Sequence, residues 1–189
     1  MPQRTDLPLP ANVPQSAHDR AADHLVGMAL PKVSLASSFG GTVELTRIRA
    51  PRLVIYCCPM MEARGNTLPQ GWKDIPGALG CTLQARNFQE HYGEFFDLGV
   101  DVFGLSAQSS ECQREMAKRL NLPFEILSDA DFQFCDALRL PTFQIDSMRL
   151  IKRLTMIVRG MRIEHVFFPV FSPEQNADAV LQWLNDHPL

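Results

Sequence analysis

Beginning at Cys81, the apolar residues Ala85, Phe88, Tyr92, Phe95 and Phe96 recur at steps of three and four. That spacing draws one stripe along a helix and predicts that the stripe, with Cys81 on it, faces a core. Upstream, residues 53–58 form a short unbroken apolar run between Arg52 and Pro59, the pattern of a central strand covered on both faces. Residues 100–105 form a second such run, and Ser110 with Gln113 three residues on supplies a capping-box start for a helix reaching Leu120. Segments 32–36 and 42–45 alternate apolar and polar positions around Gly40-Gly41, which predicts a leading β-hairpin. Segments 154–158 and 163–170 flank Arg159-Gly160-Met161-Arg162 and predict another. A last helix follows, with Ser172 as its cap, Pro173 in its first position and Ala177, Val180, Leu181 and Leu184 as its buried stripe. Strand, helix, strand, helix is the rhythm of a parallel α/β core.

Composition narrows this picture. The chain of 189 residues suits one domain. Residues 1–24 are polar and spaced by Pro2, Pro8, Pro10 and Pro14, and are expected to form a flexible N-terminal arm with a short helical turn around 17–24. Residues 25–189 make the domain, with no internal repeat. A net charge of -3 with no dense Lys/Arg block gives no electrostatic footprint for nucleic acid. The N-terminus has no apolar secretory core and no apolar run is long enough to span a bilayer, so a cytoplasmic location and no membrane partner are expected. The five cysteines fit neither a secreted disulfide framework nor paired zinc knuckles. His24, His91, His165 and His187 show no spacing that would close a metal site, so no metal is expected.

Cys81 then carries the chemistry. It stands where a loop enters a helix, and the unsatisfied N–H groups and dipole of a first turn favour thiolate over thiol. A free cysteine on an apolar stripe also reads as a small core residue, and spacing alone leaves both readings open.

The run Pro76-Gly77-Ala78-Leu79-Gly80-Cys81-Thr82-Leu83-Gln84-Ala85-Arg86-Asn87-Phe88 resembles the active-site loop and first long helix of peroxiredoxins, especially the PrxQ or bacterioferritin comigratory protein group. Leu53-Val54-Ile55-Tyr56 with Pro59, the segments 98–106 and 122–129, and 152–158 resemble the family's strands in order, so the likeness covers about residues 27–185. It implies a thioredoxin-like α/β fold with an N-terminal β-hairpin, a central mixed sheet and flanking helices. It implies a thiol peroxidase that reduces hydrogen peroxide or small organic hydroperoxides, with Cys81 passing through a sulfenic acid and Arg153 binding the peroxide and holding the thiolate. No cofactor is needed. The implied partners are the peroxide and an external thiol (thioredoxin, glutaredoxin or glutathione), with room for a homodimer.

The chain also departs from the pattern. The family's threonine three residues before the cysteine is Ala78, and its proline seven before is Asp74, which leaves Thr82, Thr67 or a backbone group to replace the missing hydroxyl. The resolving cysteine five residues on is Arg86, read here as a solvated helix residue. Cys112 is the remaining resolving candidate, while Cys57, Cys58 and Cys135 read as structural. The loop 60–75 is longer than usual and contains Trp72, either a lid over the pocket or the anchor of its own loop. The rival reading is a redox-sensing or binding protein on the same fold with little turnover. A thioredoxin-type oxidoreductase would want a Cys-x-x-Cys pair, which the surroundings of Cys81 do not offer.

Overall fold

The computed structural model describes residues 19–61, 68–75 and 77–189. The first hairpin pairs β1 (Ser34–Ser37) with β2 (Thr42–Glu44). The turn between them uses Gly40 and Gly41 at φ 97° and 70°, a conformation that side chains resist. Next comes β3 (Arg52–Cys57), buried along its whole length as its unbroken apolar run requires. Helix α1 (Cys81–Glu90) stops at His91, and α2 (Tyr92–Asp97) restarts from it. This break shifts the helical phase, so Phe95 stays buried while Phe96 is exposed, against the expectation of one stripe from Cys81 to Phe96.

Strand β4 (Val100–Ser106) lies parallel to β3 and leads into α3 (Ser110–Leu120). The cap of α3 is Ser109, one residue earlier than the capping-box reading, and its hydroxyl accepts the Cys112 N–H. Gln113 instead turns inward, donating to Ser106 and to the Leu127 carbonyl. Then come β5 (Ile126–Ser128), parallel to β4, and the short α4 (Gln133–Leu138). A hairpin of β6 (Thr142–Ile145) and β7 (Met148–Ile151), absent from the pattern reading, stands outside the main sheet. Strands β8 (Leu154–Arg159) and β9 (Arg162–Phe167) form the expected hairpin, and β8 runs antiparallel to β3. The last helix, α5 (Asn176–Asp186), buries Ala177, Val180, Leu181 and Leu184 as expected. A 3₁₀ turn, Pro173–Gln175, precedes it, and Ser172 makes no side-chain cap bond.

The main sheet has the order β2-β1-β5-β4-β3-β8-β9. Alternation along the strands divides the interior into two cores. Val54, Tyr56, Cys58 and Ile157 pack with Cys81, Phe88, Phe95 and α5 on one face. Leu53, Ile55, Cys57 and Met156 pack with Phe134, Cys135 and Leu138 on the other. Of the expected arm, residues 1–18 lie outside the described residues. Residues 19–24 are fastened: Asp19 pairs with Lys152 at 2.8 Å, Ala22 is buried, and a 3₁₀ turn covers Asp23–Leu25. No helix among the described residues is long and apolar enough to cross a membrane.

Candidate active site

Strand register builds the site. Cys57 pairs with Leu154 across β3 and β8, so the next residues outward, Cys58 and Arg153, emerge at the same end of the sheet. This is the carboxyl end of the parallel strands β3 and β4, where ligands gather in open α/β sheets. Here the chain leaves β3, passes through the long loop and re-enters the fold as α1, whose first residue is Cys81. Gly80 sets the approach. Its φ is 98°, and a Cβ there would lie 2.4 Å from Pro173 Cγ, so a residue without a side chain is needed to dock this turn on the Pro173–Gln175 segment.

Arg153 is buried, and its guanidinium organises the loop in front of Cys81. Nε donates to the Gly77 carbonyl at 3.1 Å, and Nη2 donates to the Leu79 carbonyl at 2.9 Å and to Cys81 Sγ at 3.2 Å. Nη1 donates to Gln84 Oε1. Gln84 is itself fixed: its Nε2 donates to Asn176 Oδ1 at 2.9 Å, and Thr155 Oγ1 donates to the same oxygen at 2.6 Å. Among the described residues no carboxylate pairs with Arg153, so its positive charge is left to act on the sulfur.

Burial alone would push the Cys81 thiol up. Three donors to the thiolate outweigh it, namely the Cys58 S–H, the Arg153 guanidinium and the Met60 N–H, and they pull the thiol from 9.0 to about 6. At neutral pH the thiolate is then the favoured form. Cys58 shows the reverse side of the same contact. Its hydrogen bond to Cys81, then its own burial, hold its thiol well above the usual range, so Cys58 keeps its proton and donates it. The Met60 N–H is steadied by its neighbour: Gln108 accepts the Met61 N–H at 2.6 Å and returns a bond to the Met61 carbonyl at 3.0 Å. Ala78, which lacks the hydroxyl expected in that role, faces Arg153 with its carbonyl. Of the two threonines considered for that role, Thr82 lines the cleft and Thr67 lies outside the described residues.

A cleft of about 280 Å³ opens on Cys81, lined by Met60, Trp72, Thr82, Leu83 and the 78–80 segment. Trp72 is buried against Ala78 and Leu150, with Phe143 6.1 Å away, so it anchors the loop and also forms one wall of the cleft. The other candidates lie elsewhere. Arg86 is exposed on α1. Cys112 sits half-buried in the first turn of α3, and the structure brings it into no described contact with Cys81. Cys57 and Cys135 share the opposite core, where burial first of all raises both thiols, Cys135 to about 12. Cys58 contrasts with them, since it lies in the buried cluster of Cys81 and not in the opposite core. Gln84 and Asn176 escaped the sequence reading.

Comparison with known proteins agrees with this geometry. Residues 76–166 match the AhpC/TSA family. Peroxiredoxin Bcp of Escherichia coli K12 is 30% identical over 165 residues, which cover 85% of this chain and 96% of that protein. The chloroplastic peroxiredoxin Q of Sedum lineare is 27% identical over 158 residues, 84% of this chain and 76% of the relative. Among solved structures, peroxidoxin BcpB of Mycobacterium tuberculosis superposes with a TM-score of 0.70 at 18% identity, covering 87% of this chain and 98% of that one. A bacterioferritin comigratory protein of Xanthomonas campestris gives 0.68 at 22%, covering 85% and 97%. These likenesses bear out the thioredoxin-like fold with its N-terminal hairpin, central mixed sheet and flanking helices. Matched along most of its length by a relative of the same kind, the chain belongs to the AhpC/TSA family of peroxiredoxins.

Proposed function

We propose that Cys81 is the nucleophile through which this chain, a thiol-dependent peroxidase by its family, reduces hydrogen peroxide or small organic hydroperoxides. The carrying observation is the 3.2 Å contact between Arg153 Nη2 and Cys81 Sγ inside a loop that the same arginine holds. The thiolate attacks one peroxide oxygen, the O–O bond breaks, and the leaving oxygen takes up a proton as water or alcohol. Cys81 becomes a sulfenic acid. Arg153, the first-turn N–H groups of α1 and the Met60 N–H form a fixed positive field where negative charge passes from sulfur to oxygen, so little reorganisation is needed. The organic hydroperoxide half of this proposal draws on the Xanthomonas relative, which is described by its alkyl peroxide reduction activity.

An external thiol then returns Cys81 to its reduced state; thioredoxin, glutaredoxin and glutathione are the reductants proposed. A cytoplasmic location and a homodimer belong to the same proposal, and sedimentation of the purified protein checks the dimer. Cys81→Ser is expected to abolish peroxide-dependent oxidation of dithiothreitol while the fold survives. Near-normal oxidation of the serine variant would overturn the assignment. Sustained turnover by the wild type separates a peroxidase from a sensor, which would stop after one equivalent.

A further inference from the structure

The placement of Cys58 and Cys81 in one buried cluster carries a second step. Cys58 follows the last residue of β3, where its N–H donates to the Leu105 carbonyl at 3.1 Å. Its side chain belongs to the buried cluster that holds Cys81, at the end of the sheet where Arg153 emerges and reaches Cys81 Sγ at 3.2 Å. Cys57, on the alternate face, is directed away. We propose that Cys58 is the resolving cysteine of this enzyme: once Cys81 is a sulfenic acid, the Cys58 sulfur attacks the Cys81 sulfur and closes an intramolecular Cys58–Cys81 disulfide. This rests on the peroxidase reading of Cys81.

The step balances. Cys81–SOH and Cys58–SH give one S–S bond and one water; the Cys58 proton leaves with the sulfenic hydroxyl, and the oxidising equivalents are those already taken from peroxide. An external dithiol later supplies two electrons and two protons. Attack requires a thiolate, and the structure explains when Cys58 becomes one. In the resting site the bond to the Cys81 thiolate, then burial, then the negative charge of that thiolate hold the Cys58 proton, while Arg153 works the other way. Oxidation turns Cys81 into a neutral group, which removes both restraints that come from its thiolate and leaves burial opposed by the arginine. The resolving thiol is thereby kept silent until there is a sulfenic acid to resolve.

Position favours Cys58 over other thiols. Cys58 and Cys81 are almost wholly buried, at 0% and 4% exposure, so the internal thiol meets the sulfenic acid before any external one. The Cys81 cleft leaves that sulfur as the end of the disulfide a reductant can reach.

The test is peptide mapping of the full chain under non-reducing conditions after one equivalent of hydrogen peroxide, with a sulfenate trap present. The expected product is a Cys58–Cys81 disulfide, with Cys57, Cys112 and Cys135 still alkylated as free thiols. A Cys58→Ala variant is expected to give trapped sulfenic acid at Cys81 in its place. Wild-type protein that accumulates trapped Cys81 sulfenic acid, or a Cys81–Cys112 disulfide, overturns the inference and leaves the peroxidase reading standing. Unoxidised Cys81 would remove that reading as well.

Discussion

Arg153 Nη2 stands 3.2 Å from Cys81 Sγ although 72 residues separate the two in sequence. The arginine acts twice through this contact, since the guanidinium that holds the thiolate also binds the carbonyls of Gly77 and Leu79 and so shapes the loop leading to it. Charge and loop geometry are therefore parts of one device, and substitutions that separate them test it.

Arg153→Met keeps much of the side chain's length and removes its charge. The pH midpoint of Cys81 alkylation is expected to rise from about 6 toward 9.0. Peroxide oxidation at neutral pH is expected to slow by about 100- to 1000-fold, the usual cost of losing one preorganised donor. An unchanged alkylation profile in Arg153→Met would show that the arginine does not face the thiolate.

Gln84 separates positioning from charge. It accepts from Arg153 and donates to Asn176, which also receives the Thr155 hydroxyl. Gln84→Leu leaves buried polar atoms without partners and is expected to cost about 1–3 kcal/mol of stability by thermal or denaturant unfolding. Gln84→Glu offers Arg153 a competing carboxylate beside the thiolate, so its Cys81 alkylation midpoint should move up more than that of Gln84→Leu. Equal midpoints in the two variants would mean that Gln84 does not govern the arginine's charge.

Stability should follow pH through the same sulfur. A folded-state thiol pulled down to about 6 from 9.0 binds fewer protons than the unfolded chain between those values, so its contribution grows as pH rises from about 6 to about 9 and is lost as pH falls back through 6. Above pH 9 the sign reverses, because Cys57 and Cys58 are held protonated in the fold while the unfolded chain releases their protons. Unfolding free energies of wild type minus Cys81→Ser, measured from pH 5 to 9 under reducing conditions, should show the rising limb. A flat difference would mean that Cys81 is an ordinary buried thiol.

The parts legible in the chain were those written in local periodicity. The buried run at β3, the two sheet-edge hairpins and the stripe of α5 needed only neighbouring residues to declare themselves. Phe96 was misplaced because a uniform 3.6-residue repeat has no way to show the break at His91. The β6–β7 hairpin escaped because its turn uses Asp146 at φ 51° and carries no glycine. The site divided in the same way. Cys81 had a local signature, and Arg153 became visible only through family likeness, since its role depends on β8 lying beside β3. Cys58 looked like one more strand cysteine, and only the register that sets it near Arg153 and the packing of α1 place it in the same buried cluster as Cys81. Gln84 sits three residues after Cys81 on the buried face, where a polar residue without a visible partner gives no hint of an arginine arriving from another strand.

Gly80→Ala tests whether the turn before Cys81 must be this tight. The new Cβ would lie 2.4 Å from Pro173 Cγ, a ring that yields little, and the backbone sits at φ 98°, where alanine is strained. Overpacking and backbone strain each cost about 1–3 kcal/mol, so a loss of about 2–6 kcal/mol is expected from denaturant unfolding. The loop would relieve the clash by lifting the first turn of α1 away from the Pro173–Gln175 segment, which also moves Cys81 from Arg153. The alkylation midpoint of Cys81 should therefore rise together with the loss of stability. Gly93→Ala in α2 is the control, since its Cβ meets nothing within 4 Å and its backbone is not in the left-handed region. It should leave the thiol untouched and stabilise the helix by up to about 1 kcal/mol. A destabilised Gly80→Ala protein with an unshifted thiol would show that the turn serves folding alone and that the sulfur's environment is set from elsewhere.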